Sequence, residues 1–481
     1  VTGRTTGDRP SSAPAENHPS PPPAQEPPAP PRTPAGRERP APPHTAAGRE
    51  RPAPPHTAAG QKAPAPAPIG PEPRAGLVSS GLRVRFERIW AGLARIGGGG
   101  ADGYRRFAWT PVDLALRGWF EEEAARRGLT YERDRNGNQW AWWGTPGPGA
   151  VVTGSHLDSV PGGGAFDGPL GVVSAFLAVD ELRERGVTPA RPLAVVNFAD
   201  EEGARFGVAC VGSRLLTGVL SPADARKLRD ADGVTLAEAM RAAGADPDAL
   251  GRDEEALSRI GAFVELHIEQ GRGLADLDAP VGVASAIWPH GRWRCTFRGE
   301  ANHAGTTRLA DRHDPMLPFA STVLAARESA ERLGALATFG RVRVDPNGTN
   351  AIPSRVDAWL DGRAPDAGTV RAMVDEITEA ARAAAAGHGV RVEVVAESTT
   401  PVVRFGDELR DRIAAALGGA PALPTGAGHD AGILSASVPT AMLFVRNPTG
   451  VSHSPAEHAG VDDCVAGVTA LATVLEELAC R

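Results

Sequence analysis

Disulfide chemistry, membrane insertion and nucleic-acid binding are all poorly provided for in this sequence. Its 481 residues include four cysteines, Cys210, Cys295, Cys464 and Cys480, none in a C-x-x-C pair. That is too few for a disulfide scaffold and the wrong spacing for a thiolate zinc site, and it fits a reducing cytoplasm. A net charge of -7 gives no basic field for nucleic acid or an anionic bilayer, which leaves a small-molecule substrate. No apolar run approaches the roughly 20 residues of a membrane span, and the N-terminus lacks a signal-peptide apolar core. A cytoplasmic protein with neither membrane nor nucleic-acid partner is expected. Aromatic residues are missing from residues 1–78, which hold 22 of the 44 prolines and a tandem repeat, AGRERPAPPHTA, starting at Ala35 and Ala47. Such a composition cannot bury enough apolar surface to offset ordering entropy, so a disordered tail is predicted, and His18, His44 and His56 receive no metal role.

Hydrophobic residues make up 41% of the whole sequence, enough for the part beyond the tail to bury more than one core. Order begins near Leu82, where FERIWAGLARIG and PVDLALRGWFEEEAARRG show helical periodicity, the second with Pro111 in its first turn. YERDRNGNQWAWW carries an Asn-Gly turn between strand-like halves. From Val151 the order is apolar strand, Gly-rich loop, helix and strand, a βαβ signature in which Pro169 opens the helix and Gly186 ends it. LAVVNF and FVELHI read as further strands. Between about Ile287 and Pro401, WRCTFRG, Pro315 to Leu333, FGRVRV, RVDAWLDGR, Thr369 to Ala386 and VRVEVVAES alternate as βαββαβ, which predicts a ferredoxin-like insert. The α/β pattern then resumes through TGAGHDAG, TAMLFV, SHSPAEH and a last helix from Val461. The expected organisation is a tail over 1–78, a catalytic domain over 79–285 and 401–481, and an α+β insert over 286–400.

The chemistry-bearing residues cluster at predicted strand ends. GSHLDSVPGGGAFDG follows the first strand with His156, Asp158 and Asp167; Glu201 and Glu202 follow LAVVNF; His267 ends FVELHI; His453 lies in SHSPAEH. Any one of these is equally well a solvated turn or rim residue. Open α/β sheets, however, bind ligands beyond the carboxyl ends of their strands, so several such clusters point to one site. Imidazole and carboxylate together suit zinc, manganese or cobalt, and a carboxylate such as Asp167 can bridge two ions. Glu201 is the proposed general base, and Asp158 is placed to orient the His156 ring.

Seven motifs in order, GSHLDSVPGGGAFDGPLGV, NFADEEGARFG, ELHIEQG, ANHAGTT, NAIPSRV, GAGHDA and SHSPAEH, resemble the hydantoinase/carbamoylase branch of the di-metal amidohydrolases over roughly residues 80–480. The resemblance implies an α/β, di-zinc exopeptidase-like catalytic domain with a mixed sheet, and an inserted domain serving as lid and homodimer contact. It implies two divalent ions, zinc or manganese, one held by His156, Asp167 and His267 and the other by Asp167, Glu202 and His453, with Glu201 as base. Gln270, Gly428 and His429 would meet the substrate. From the insert, His303 would polarise the scissile carbonyl in the partner subunit's site, and Asn350 and Arg363, with Arg292, would clamp a substrate carboxylate. The implied activity is cleavage of a ureido C–N bond in a small carboxylate, allantoate first, with N-carbamoyl-L-amino acids or β-ureidopropionate as the alternative. Two departures from the family pattern bear on the pocket: Arg446 and Asn447 replace a Pro-Ser pair, and Gly432 replaces a longer side chain.

Overall fold

Continuous apolar runs such as Leu193 to Val196 cannot alternate between core and water, and the structure buries them on both faces of one sheet. The computed structural model describes residues 80–480; the predicted tail and its three histidines lie outside the described residues. The central sheet takes β1 (Thr130–Arg133), β2 (Gln139–Trp143), β3 (Ala150–His156), β4 (Leu193–Phe198), β5 (Ile260–Ile268) and β6 (Val281–Ile287). The chain then leaves it for β7 (His290–Arg298), β8 (Asn302–His303), β9 (Leu336–Asp345), β10 (Ala351–Ile352), β11 (Arg355–Arg363) and β12 (Arg391–Thr400). It returns with β13 (Val403–Arg404), β14 (Ala422–Thr425) and β15 (Thr440–Val445).

The strand order of the central sheet is β1-β2-β4-β3-β5-β15-β6-β13, with β14 also beside β6. Four adjacent strands, β4, β3, β5 and β15, run parallel, and antiparallel neighbours flank them, so the sheet is mixed. Along β3 and β4, alternate residues enter opposite cores. Val151, Leu193 and Val195 pack under the helices Ser80–Leu93, Pro111–Arg126, Pro169–Glu184 and Val461–Cys480, while Val152, Ala194 and Val196 pack with Phe263, Met442 and Phe405. Trp142 is core, and Trp143 stacks under Arg183, so both tryptophans are packing elements.

The insert is a four-stranded antiparallel sheet in the order β12-β7-β11-β9. Met316–Leu333 and Ala367–Gly387 cover one face through Trp293, Cys295, Phe297, Val356, Ala358 and Leu360. Because side chains alternate along a strand, the other face carries Arg292, Arg294, Asp361 and Arg363. The chain order βαββαβ and this strand order are those of a ferredoxin-like unit.

Candidate metal centre

The four parallel strands end on one edge of the sheet, and each delivers a polar group there. β3 ends in His156 and leads to Asp158 and Asp167; β4 leads to Glu201 and Glu202; β5 carries His267; β15 leads to His453. Asp167 is the meeting point. Its Oδ1 lies 3.2 Å from Nε2 of His267 and 3.6 Å from Nε2 of His156, and its Oδ2 lies 3.4 Å from Nε2 of His453. Glu202 Oε2 is 3.7 Å from the same His453 nitrogen. The result is two triads of potential ligand atoms sharing one carboxylate, His156 with Asp167 and His267, and Asp167 with Glu202 and His453.

Neighbours fix the direction of each ring. His267 Nδ1 lies 2.9 Å from the Ile268 carbonyl and His156 Nδ1 3.4 Å from Asp158 Oδ1, which turns both Nε2 atoms inward. Both Nε2 atoms are buried and have no hydrogen-bond partner among the described residues. Buried polar nitrogens left unpaired are costly, and two of them aimed at a shared carboxylate are what a divalent cation would satisfy. The residues present therefore fit a pair of cations bound by nitrogen and oxygen. His156 fits in turn because Gly168 has no side chain: a β-carbon there would overlap the imidazole, and its φ of 83° also favours glycine.

Burial opposes charge on His156, yet the carboxylates of Glu201, Asp158 and Asp167 hold its pKa well above the usual histidine value. His267 is raised in the same way, by Asp167 acting against burial. Asp167 is itself held well below the carboxylate range, since His156 and His267 outweigh its burial. Glu201 goes the other way: burial pushes its pKa well up, with His156 only partly opposing. Glu201 belongs to neither triad. Its Oε2 stands 3.7 Å from His156 Nε2, and its Oε1 accepts from the buried Cys210 thiol at 3.2 Å. Cys210, Asp200 and His453 have positive φ values of 57°, 55° and 54°, so three non-glycine residues in left-handed backbone surround the centre. Such conformations persist only where the surroundings enforce them.

Other predicted residues divide between the two domains. Gln270 joins the centre, donating to Asp167 Oδ2 at 2.8 Å and to Ser452 at 3.1 Å. His429 is buried with its ring centroid 4.4 Å from that of His267, and burial and that neighbour push its pKa well down. Gly428 precedes it, and a β-carbon there would meet nothing within 4 Å. Glu265, which lies near His267 and His429, already accepts from Ser155 at 2.7 Å and from the Ala431 N–H at 2.9 Å, so it is satisfied without a cation.

The insert residues are not gathered at the metal centre. Arg363 grips Asp361 with two nitrogens at 2.6 and 3.0 Å and reaches across to the Gly426 carbonyl at 2.6 Å, joining the insert to the loop before His429. Arg292 stands 3.6 Å from the same aspartate. His303 accepts the Gly305 and Thr306 N–H groups at Nδ1, which leaves Nε2 as the donor, and its hydrogen bonds to described residues stay within the insert. Asn350 lies one residue from Ala351, the residue that pairs with His303.

Sequence reasoning missed His290, which pairs with Arg363 across β7 and β11 and whose pKa is lowered by burial and the nearby guanidinium. It also missed Cys210, which no motif signals. Arg446 is bound by Asp463 and Asp278, and Asn447 folds the loop before His453 by accepting from Thr449 and Gly450. A β-carbon at Gly432 would meet the Cδ1 tip of Ile287 at 2.6 Å.

A parallel sheet edge carrying two carboxylate-linked ligand triads defines a metal-dependent hydrolase, and the chain belongs to peptidase family M20/M25/M40, whose model matches residues 152–477. It resembles the N-carbamoyl-L-amino acid amidohydrolase of Geobacillus stearothermophilus at 38% identity, over 82% of this chain and 99% of that one. Allantoate amidohydrolase of Escherichia coli (strain K12) is 34% identical over 83% and 98%. A solved amidase of the hydantoinase/carbamoylase family from Burkholderia vietnamiensis superposes with a TM-score of 0.75 at 30% identity, covering 83% and 98%. The motif resemblance to hydantoinase/carbamoylase amidohydrolases therefore holds, and the chain is a hydrolase of C–N bonds.

Proposed function

We propose that the chain hydrolyses the ureido C–N bond of a small carboxylate, allantoate first, releasing ammonia and carbon dioxide. The observation that carries this reading is the sharing of Asp167 by both triads while Glu201 stays outside them with a free edge toward His156. Relatives named for allantoate and for N-carbamoyl-L-amino acids support the substrate class. Two divalent cations, zinc or manganese, would be held by His156, Asp167 and His267 and by Asp167, Glu202 and His453. Bound there, they would supply Lewis acidity and lower the pKa of a water.

Glu201 takes the proton from the attacking water and returns it to the leaving nitrogen; its buried setting raises its basicity for both tasks. Asp158 holds the His156 ring and the Glu201 and Glu202 backbone in place. Gln270, Gly428 and His429 line the approach to the reacting carbon. Arg363, Arg292 and Asn350 bind the substrate carboxylate, for which a guanidinium is the apt planar partner. His303, with Nε2 as donor, stabilises the developing oxyanion in the partner subunit's site. The homodimer this requires forms through the insert, where Leu317 and Leu324 are 50% and 67% exposed on one helix and Leu309 is 83% exposed. Cys210, Cys295 and Cys464 are buried free thiols, which supports a cytoplasmic setting, and no described helix is long and apolar enough to cross a membrane.

The test is a substrate panel on purified protein loaded with manganese or zinc, scored by ammonia release. Allantoate turnover exceeding that of N-carbamoyl-L-amino acids and β-ureidopropionate is expected. Preference for an N-carbamoyl-L-amino acid would move the assignment to the second activity; cleavage of dipeptides alone would refute both.

A further inference from the structure

Glu457 is buried four residues after His453 and belongs to neither ligand triad. Its Oε2 accepts the backbone N–H of Phe166 at 2.8 Å and that of Asp167 at 3.0 Å. One carboxylate thus ties the loop carrying Asp167 to the loop carrying His453, segments some 290 residues apart. The seat it occupies is made by Gly164. A β-carbon at that position would overlap the carboxylate and the β-carbon of Glu457. Gly164 itself has no left-handed φ, so alanine suits its backbone and only room demands glycine. The last of the three consecutive glycines therefore exists for a residue at the far end of the chain.

We propose that Glu457 is a positioning residue for the cation pair: by accepting both N–H groups it sets the aim of Asp167 toward His453 without being a ligand. This rests on the two-cation reading above. Hydrogen bonds from N–H to a carboxylate are among the stronger ones available to a loop. A bridging ligand has to be held within about 0.5 Å to serve two ions, and no other described side chain accepts both N–H groups.

The test reads cation affinity rather than turnover. Zinc and manganese dissociation constants are measured on the full chain by competition with a chromophoric chelator, with stoichiometry from elemental analysis. Glu457→Gln retains an acceptor oxygen and is expected to bind both ions within about threefold of wild type, whereas Glu457→Ala is expected to lose roughly 10- to 100-fold. Gly164→Ala leaves every ligand and Glu457 in the sequence but fills the seat, so it should weaken binding to a similar degree. The double variant should be no worse than the weaker single, because both changes break one contact.

Wild-type affinity in Glu457→Ala would overturn the proposal. So would a Gln variant as weak as the Ala variant, which would make charge the cause, or fully additive losses in the double variant. If Glu457→Ala does not fold, Gly164→Ala and Glu457→Gln carry the same comparison. A wild-type chain that bound no cation would defeat the two-cation reading before any variant is made, so the two failures are distinguishable.

Discussion

Asp158 accepts the backbone N–H of Glu201 at 3.1 Å through one oxygen and that of Glu202 at 3.0 Å through the other. The same side chain faces His156 Nδ1. One buried carboxylate therefore fixes His156 from β3 and Glu202 after β4, both proposed ligands, together with Glu201, the proposed general base.

Asp158→Asn places an amide donor against one of those N–H groups. Cation affinity should fall roughly 10- to 100-fold, the usual cost of losing an outer partner of a metal ligand. Elemental analysis after dialysis against a weak chelator checks this, and full occupancy in the variant would refute it.

Glu201→Gln should separate binding from chemistry. Glu201 lies in neither ligand triad, so the cation content should match wild type, while turnover falls by about 100- to 10,000-fold with the loss of the proton acceptor. Metal stoichiometry and ammonia release on one preparation decide it; surviving activity would remove the base assignment.

Arg363→Ala should raise KM for a ureido carboxylate by about 100-fold or more and change a neutral ureido amide far less, because an unmatched charge is left only by the former. Lysine should not restore the difference, since the fork that spans Asp361 and Gly426 is specific to a guanidinium. Equal effects on charged and neutral substrates would reject the clamp.

Cation uptake should depend on pH with a definite sign. Without ions, neighbouring carboxylates working against burial raise the pKa values of His156 and His267, and burial raises those of Glu201 and Glu202, so the centre keeps protons to higher pH than the free side chains would. Incoming cations displace those protons. A group with a raised pKa gives up its proton only above that value, so apparent affinity should climb as pH rises through and beyond the ordinary histidine range rather than fall. Titration calorimetry in two buffers of different ionisation enthalpy should show net proton release. A flat profile would contradict the protonated cluster.

Much of this centre was legible because its parts obey local rules. Apolar runs marked β3, β4 and β5, and a ligand placed just beyond a parallel strand has few other directions to face. Likewise, periodicity switching between two and three and a half residues gave the βαββαβ order of the insert. What stayed hidden was long-range. Nothing near Arg446 announces Asp463 and Asp278 as its partners, and nothing near Cys210 announces Glu201. Likewise, nothing near Gly432 announces that a β-carbon there would meet Ile287, which lies 145 positions earlier. Spacing reports what a residue type can do; only packing reports which neighbour uses it.

The placement of β15 between β5 and β6 has a consequence for how the molecule comes into being. Those two strands are synthesised well over a hundred residues before the one that separates them, so the growing polypeptide must keep a slot open for a late arrival. Until Val445 emerges, β5 and β6 present raw backbone edges able to recruit stray strands. A message cut short after the insert would yield an aggregation-prone product with one wall of its catalytic edge missing.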